Sequence, residues 1–118
     1  MLILQEEGFK ARELATRVNN FTFPSTCYVK ESHSLLVMGG SSNDTRQQTV
    51  EHYRIDTNTW ESLFSLKVPR SGAGSCNHAG FVWIFCGITT GGQWINSIEK
   101  MNIDSLQPGA KPSSWELI

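Results

Sequence analysis

The amino-acid sequence predicts an all-β protein that contains two copies of one four-stranded antiparallel unit. From residue 21 onward, short β-prone runs alternate with turn sequences rich in glycine, asparagine, aspartate and serine. The order of these runs then returns once along the chain, so that Val50-Glu51 reappears as Ile98-Glu99 and Ile55-Asp56 as Ile103-Asp104. The 118 residues are enough for one small domain with a modest core.

The first unit is predicted over residues 21–68. Its strands are expected at residues 26–29, 35–38, 49–55 and 60–64. The second run, Leu-Leu-Val-Met, is continuously apolar and ends at Gly39 and Gly40, which fits a buried strand better than a helix. The third run alternates, so Val50 is expected on one face of the sheet and Tyr53 on the other.

The second unit is predicted over residues 69–118. Its strands are expected at residues 71–76, 81–86, 94–101 and 115–117. The step from Trp60 to Trp115 is longer than the step from Val50 to Ile98, so the second unit is longer than the first between its third and fourth strands. The excess falls in residues 105–114, which contain two prolines and are expected to form a longer surface turn.

Four strands that recur with a period of about 48 residues are typical of the blades of a β-propeller. The ordered features resemble the kelch repeat, in which an apolar strand ends in a glycine doublet, the third strand carries an aromatic residue and a tryptophan opens the fourth. The first unit has Gly39-Gly40, Tyr53 and Trp60, and the second has Cys86-Gly87, Met101 and Trp115. The resemblance covers residues 21–118 and implies two kelch-type blades, at 21–68 and 69–118.

Two blades do not close a ring, because propellers have typically about 4–8 blades, and an open blade exposes an apolar face. The remaining blades are therefore expected from a longer chain, which we favour, or from other copies in a homo-oligomer. Residues 1–20 have two interpretations. Phe9, Leu14 and Val18 give a partial helical stripe, whereas residues 11–18 also fit the tail of a preceding blade, which we favour.

The segment 69–74, Pro-Arg-Ser-Gly-Ala-Gly, resembles the first strand of kelch blades in the substrate adaptors of ubiquitin ligases. This resemblance implies a module that recognises a protein partner, either in such an adaptor or in a cytoskeletal or assembly scaffold. It also implies that Arg70 faces the channel mouth, where a guanidinium can bind a partner carboxylate, with Ser71 adding a hydrogen bond. The alternative is an exposed arginine, or one paired with a neighbouring blade.

Further partner-binding candidates lie in the loops after the two glycine turns, at residues 41–48 and 88–93. Loops on a rigid scaffold often carry recognition, and these two are expected on the same face as Arg70. The candidate residues are Arg46, Gln47, Gln93 and Trp94. Trp94 is interpreted either as an exposed anchor for a partner or as part of the core.

The sequence predicts no catalytic residue, no metal site and no cofactor. No Gly-x-Ser-x-Gly elbow, phosphate loop or zinc-protease motif is present, and Cys76, His78 and Cys86 have the spacing of no closed zinc site. Some kelch-propeller proteins are copper oxidases, whose site needs tyrosines, histidines and a tyrosine–cysteine link. A fragment of such an enzyme is a less favoured alternative, because this chain has only Tyr28 and Tyr53.

The composition limits the classes of partner and the cellular setting. A net charge of −1 gives no basic field for nucleic acid or an anionic membrane, and no apolar run approaches the ~18 residues of a membrane span. Three cysteines without short spacing do not resemble a disulfide framework, which indicates a reducing, cytoplasmic setting.

Overall fold

The computed structural model of the chain describes residues 3–6, 10–13 and 21–118, and it confirms an all-β protein with antiparallel sheets. Near the N-terminus, β1 (Ile3–Glu6) pairs with β2 (Lys10–Glu13). Phe9, Leu14 and Val18, the basis of the helical interpretation, lie outside the described residues. No helix among the described residues is long and apolar enough to cross a membrane.

The first unit forms sheet 1, whose four antiparallel strands lie side by side in chain order. They are β3 (Ser25–Val29), β4 (Ser34–Met38), β7 (Val50–Arg54) and β8 (Thr59–Ser62), and a small hairpin of β5 (Ser41–Ser42) and β6 (Thr45–Arg46) follows β4. Leu36 on β4 lies opposite both Cys27 and His52, so these three side chains share one face of the sheet. The opposite face carries Tyr53, as the alternation predicts.

The second unit forms sheet 2, which repeats the same strand order. Its strands are β9 (Gly74–His78), β10 (Phe81–Phe85), β11 (Ile98–Asn102) and β12 (Glu116–Leu117). The longer connection predicted between the third and fourth strands begins with a 3-10 turn at Ile103–Leu106 and then runs without regular structure to β12. Sheet 2 thus has the predicted number of strands, but its fourth strand is only two residues long.

The main core lies between the two sheets. Sheet 1 contributes Cys27, Val29, Leu36, Met38 and Val50, and sheet 2 contributes Val82, Ile84 and Met101. Leu66, Leu106 and Trp115 extend this cluster along the connecting segments. Ser75 on β9 also donates a hydrogen bond of 3.0 Å to the carbonyl oxygen of Thr26 on β3, so the first strands of the two sheets lie next to each other.

The ends of β4 and β10 use the same backbone geometry. Gly39 and Gly40 have φ values of +66° and +115°, and Cys86 and Gly87 have +61° and +96°. At Gly39 a Cβ atom would lie 2.3 Å from the carbonyl oxygen of Arg70, so this position has no room for a side chain. Cys86 therefore keeps the left-handed conformation of the first glycine of the doublet although it carries a side chain.

The two sheets differ in how much of their second face is covered. In β4, Leu36, Val37 and Met38 are all buried. In β10, only Val82 and Ile84 are buried, and the aromatic residues that alternate with them, Phe81, Trp83 and Phe85, stay partly exposed. No described element packs on the outer face of sheet 2, so the aromatic side chains of β10 stay partly exposed.

Candidate functional site

One end of the molecule gathers most of the loops that were predicted to bind a partner. We call it the loop end and define it as Phe23, the β5–β6 hairpin and residues 88–94. Backbone hydrogen bonds connect its parts: Gly72 donates to the carbonyl of Phe23, Ser71 and Ile88 exchange two bonds, and Ile88 bridges to Trp94. The backbone N–H of Arg46 on the hairpin donates to Thr90 Oγ1 at 3.1 Å.

Two aromatic side chains stand out from the loop end. Trp94 is 83% exposed and Phe23 is 75% exposed. Neither residue belongs to the two core clusters. Both rings therefore forgo the stabilisation of about 1.5–3 kcal/mol that burial of a large apolar side chain gives. Phe23 also has a φ of +54°, a conformation that L-residues rarely adopt and that concentrates at functional sites. The structure thus favours the exposed interpretation of Trp94 over the core interpretation.

The polar candidates of the hairpin are largely engaged within it. Arg46 Nη1 donates to Ser41 Oγ at 3.3 Å and to the carbonyl oxygen of Asp44 at 3.2 Å, and Gln47 Nε2 donates to the carbonyl oxygen of Thr45 at 3.2 Å. Both side chains are only partly exposed. Arg46 and Gln47 therefore hold the shape of the hairpin, while Gln93, next to Trp94, is exposed.

Arg70 lies in the interior and is 0% exposed. Its Nη2 donates to Glu99 Oε2 at 2.8 Å and to Ser97 Oγ at 3.1 Å. Its Nη1 donates to the carbonyl oxygens of Cys86 and Ser97, both at 3.0 Å. Glu99 in turn accepts hydrogen bonds from the backbone N–H groups of Lys67 and Val68. This arrangement, which we call the Arg70–Glu99 clamp, fastens the segment that joins the sheets onto β11.

The clamp leaves Arg70 no accessible atom for a partner carboxylate in this conformation. The sequence alternative was an arginine paired with a neighbouring blade. The observed pairing is instead with Glu99 of the same unit, since Arg70 and Glu99 both lie within residues 69–118. Ser71, which is 6% exposed, contributes backbone hydrogen bonds to Ile88 rather than an exposed hydroxyl. Of the predicted candidates, the loop end therefore exposes mainly Gln93 and Trp94.

A second group of polar residues lies along the outer edge of sheet 1. Glu61 Oε1 accepts from buried His52 Nδ1 at 2.8 Å and from Arg54 Nη2 at 3.0 Å. Burial lowers the pKa of His52, more than the hydrogen bond to Glu61 raises it. Burial raises the pKa of Glu61, but the contacts with His52 and Arg54 outweigh it and leave this pKa lowered. The group holds a neutral histidine and an ionised carboxylate near neutral pH.

A cleft of about 420 Å³ adjoins this group. One wall comes from Arg54, Glu61 and Phe64, and the other comes from residues 105–112 of the longer connection in the second unit. Sequence reasoning found the insertion but not the cleft, because the cleft depends on how the insertion lies against sheet 1. It also missed Phe23, since the exposure of a single aromatic residue leaves no periodic signal.

The cysteines take three different positions. Cys27 is buried in the core, where burial raises its pKa, while Cys76 on β9 and Cys86 after β10 are exposed. Among residues 21–118, no three His, Cys, Asp or Glu side chains are grouped to hold a metal ion. Tyr28 is half-exposed on β3, and the hydroxyl of Tyr53 donates to Asn58 Oδ1 within sheet 1.

Comparisons with known proteins do not add a family to this description. No family model matches the sequence, and no curated protein matches it. The kelch resemblance therefore rests on the sequence motifs alone.

Proposed function

We propose that the chain is a protein-recognition module that consists of two kelch-type propeller blades. Three features support the blade interpretation. Both sheets are four-stranded and antiparallel with their strands in chain order, their first strands β3 and β9 lie next to each other, and both second strands end in a pair of left-handed residues. Remaining blades would come from a longer chain or from other copies.

The proposed recognition surface is the loop end. The observation that carries this proposal is the 83% exposure of Trp94 on a loop that sheet 2 and the β5–β6 hairpin hold in position. Tryptophan is enriched among the residues that dominate binding energy at protein interfaces, because it buries a large rigid surface. Phe23 provides a second apolar contact and Gln93 a polar one. The expected partner is a protein segment with exposed apolar side chains.

The proposal is tested with peptides selected from a displayed random library on the purified wild-type chain. The dissociation constant of the best peptide is then measured by titration calorimetry for wild type, Trp94→Ala, Phe23→Ala and the control Phe64→Ala. Phe64 is 53% exposed but lines the cleft rather than the loop end. We expect Trp94→Ala to weaken binding by about 30-fold or more, which corresponds to about 2 kcal/mol.

Phe23→Ala is expected to weaken the same peptide, and Phe64→Ala to leave its affinity unchanged. Circular dichroism of each variant checks that the sheets remain folded. A peptide that binds wild type and Trp94→Ala equally well would contradict the loop end as the recognition surface, and so would a peptide lost only in the Phe64 variant.

The resemblance to ligase adaptors favours substrate recognition over a scaffold role. The two roles differ in their effect on the bound partner, because an adaptor shortens the lifetime of its partner and a scaffold does not. The half-life of a partner in cells that express wild type or Trp94→Ala separates them. A half-life that lengthens with the variant supports the adaptor role, and an unchanged half-life supports the scaffold.

A further inference from the structure

The outer face of sheet 2 is largely apolar and partly exposed. Trp83 and Phe85 on β10 are partly exposed there, Ile98 on β11 is 36% exposed, and Cys76 on β9 is exposed. This surface, which we call the open face, also includes Phe81 and Lys100. Its hollow has a volume of about 190 Å³, which is small beside the ~300–1,000 Å³ of ligand pockets. The open face is therefore better suited to another sheet than to a small molecule.

The open face corresponds to the face of sheet 1 that packs against sheet 2. The left-handed turns align β4 with β10, so Leu36 matches Trp83. On the third strands, Val50 matches Ile98. Leu36 and Val50 belong to the core between the two sheets, and each is no more than 1% exposed. The contact that the open face would make with a further sheet is thus the counterpart of a contact that the structure already contains.

The matched faces differ in the size of their side chains. On this face, β4 carries Ser34, Leu36 and Met38. At the same three positions, β10 carries Phe81, Trp83 and Phe85. Packed sheets lie about 10 Å apart, and the interior between them is filled to a nearly constant density. Larger side chains on one face therefore require smaller ones on the sheet that covers it, because overpacking destabilises a core.

The turn after the second strand differs in the same direction. In sheet 1, a Cβ atom at Gly39 would lie 2.3 Å from the carbonyl oxygen of Arg70, which lies on the connection into sheet 2. The matched residue in sheet 2 is Cys86, which carries a Cβ atom and is exposed. A connection into a further sheet cannot pass as close to Cys86 as residue 70 passes to Gly39. The rings and the turn both require a covering unit that takes up less space than sheet 2 does on sheet 1.

Neither described sheet of the chain meets this requirement. Sheet 2 packs against sheet 1 with Val82, Ile84 and Met101, which are too large to face the rings at the same spacing. The matching face of sheet 1 carries Tyr53 and Trp60, whose ring centroids lie 4.8 Å apart. That face is also already buried at its centre, where Tyr53 is 0% exposed. A second copy of the chain therefore offers no described face that fits.

We infer, on the basis of the proposed function, that a third four-stranded sheet covers the open face and presents small side chains such as alanine or glycine to Trp83 and Phe85. This sheet differs in sequence from both units of the chain. It needs no acceptor for the indole, because Trp83 Nε1 already donates to the carbonyl oxygen of His78 at 3.0 Å. Trp94 does not belong to the open face, so the loop end stays accessible to a partner.

The inference is tested by adding a third unit to the full chain. A second copy of residues 64–118 is appended after Ile118, either unchanged or with Val82→Ala and Ile84→Ala in the copy, and the copied cysteines are changed to serine. The alkylation rate of the original Cys76 is measured by mass spectrometry. We expect the alanine copy to slow this rate by about 10-fold or more relative to the chain without a copy, because docking buries Cys76. The unchanged copy should slow it by less than about threefold, because its larger side chains meet the rings.

The matched control gives the open face the residues of sheet 1, through Trp83→Leu, Phe85→Met and Cys86→Gly. The unchanged copy is then expected to slow alkylation of Cys76 by about 10-fold, because this combination repeats the observed contact between the sheets. If the control behaves in this way but the alanine copy protects the wild-type open face no better than the unchanged copy, the inference is overturned and the blade interpretation stands. Protection by neither copy in any combination would overturn both. Wild-type oligomers in which Cys76 is protected would also overturn the inference.

Discussion

Sheet 1 and sheet 2 have the same strand order, but they differ in the environment of matched positions. His52 and Lys100 are one such pair: His52 is fully buried against sheet 2, while Lys100 lies partly exposed above two aromatic rings. Leu36 and Trp83 are another, with Leu36 buried and Trp83 partly exposed. A repeat therefore specifies which strands form, whereas the neighbours of a sheet decide which of its faces is core.

The largest expected effect concerns the Arg70–Glu99 clamp of the second unit. Arg70→Ala leaves the carboxylate of Glu99 buried without its cation, and breaking a buried pair in this way destabilises by about 3–5 kcal/mol. Urea denaturation followed by fluorescence measures the loss. The matched control is Lys100→Ala, which removes a pair at 3.9 Å to the exposed Glu116 and is expected to change stability by less than about 1 kcal/mol.

Equal losses in these two variants would contradict the clamp. The result also bears on the original interpretation of Arg70 as a partner contact. If Arg70→Ala leaves stability unchanged and instead abolishes peptide binding, Arg70 acts at the surface and the channel-mouth interpretation is favoured.

The glycine turn at the end of β4 is expected to give the next largest effect. Gly39→Ala brings a Cβ atom to 2.3 Å from the carbonyl oxygen of Arg70 and gives alanine a φ of +66°. The left-handed conformation alone disfavours alanine by about 1–2 kcal/mol, and the clash adds to it. The midpoint of urea unfolding should fall accordingly. The control is Gly91→Ala, because Gly91 also has a positive φ but a Cβ atom there would meet nothing within 4 Å. Its loss of stability measures the conformational cost without the clash.

Buried His52 on β7 predicts that the stability of the chain depends on pH. Burial lowers the pKa of His52 in the folded chain, so the unfolded chain binds more protons just below the ordinary histidine pKa. Stability should therefore fall as the pH drops below about 6.5. The lowered pKa of Glu61 should extend this loss below about 4.5.

His52→Gln should flatten the upper part of this profile, measured as the free energy of unfolding between pH 7.5 and 5 (about the range over which a histidine titrates). The control is His78→Gln, which removes an exposed histidine on β9. It shows how much the loss of a histidine changes the profile when that histidine is not buried. An unchanged slope in the His52 variant would mean that its burial does not penalise the charged form.

The smallest expected effect lies at the turn of sheet 2. Cys86 holds a φ of +61° at the position that Gly39 occupies in sheet 1. Cys86→Gly should stabilise the chain by about 0.5–1 kcal/mol, because relief of the left-handed conformation exceeds the added entropy of the unfolded glycine. Differential scanning calorimetry should show a small rise in the melting temperature. A fall would indicate that the Cys86 side chain contributes packing that outweighs the strain.

The strand pattern was accessible from sequence for a physical reason. Alternation along residues 49–55 and the apolar run at 35–38 are local signals, and both strands appear close to the predicted bounds. The two turns were also accessible, since the glycine in each marks a position with positive φ. The first strand of the second unit was expected at 71–76, but it begins at Gly74, because the preceding residues belong to the connection and the loop end.

The candidate site was less accessible because burial depends on distant residues. Arg70 and Trp94 both lie close to glycine turns and both looked suitable for binding, yet one is fully buried and the other is 83% exposed. Arg70 is drawn inward because Glu99, 29 residues later in the chain, needs a cation in the core. Nothing packs on Trp94 among the described core clusters.

The sequence by itself determined the all-β class, the two units, their strand order and the backbone turns, because each depends on residues within a few positions of one another. Only the tertiary structure decided that Arg70 is buried, that Phe23 and Trp94 share one end, and that one face of sheet 2 stays open. Those outcomes depend on contacts between residues far apart in the chain. A local sequence pattern does not specify which other element packs on a given face.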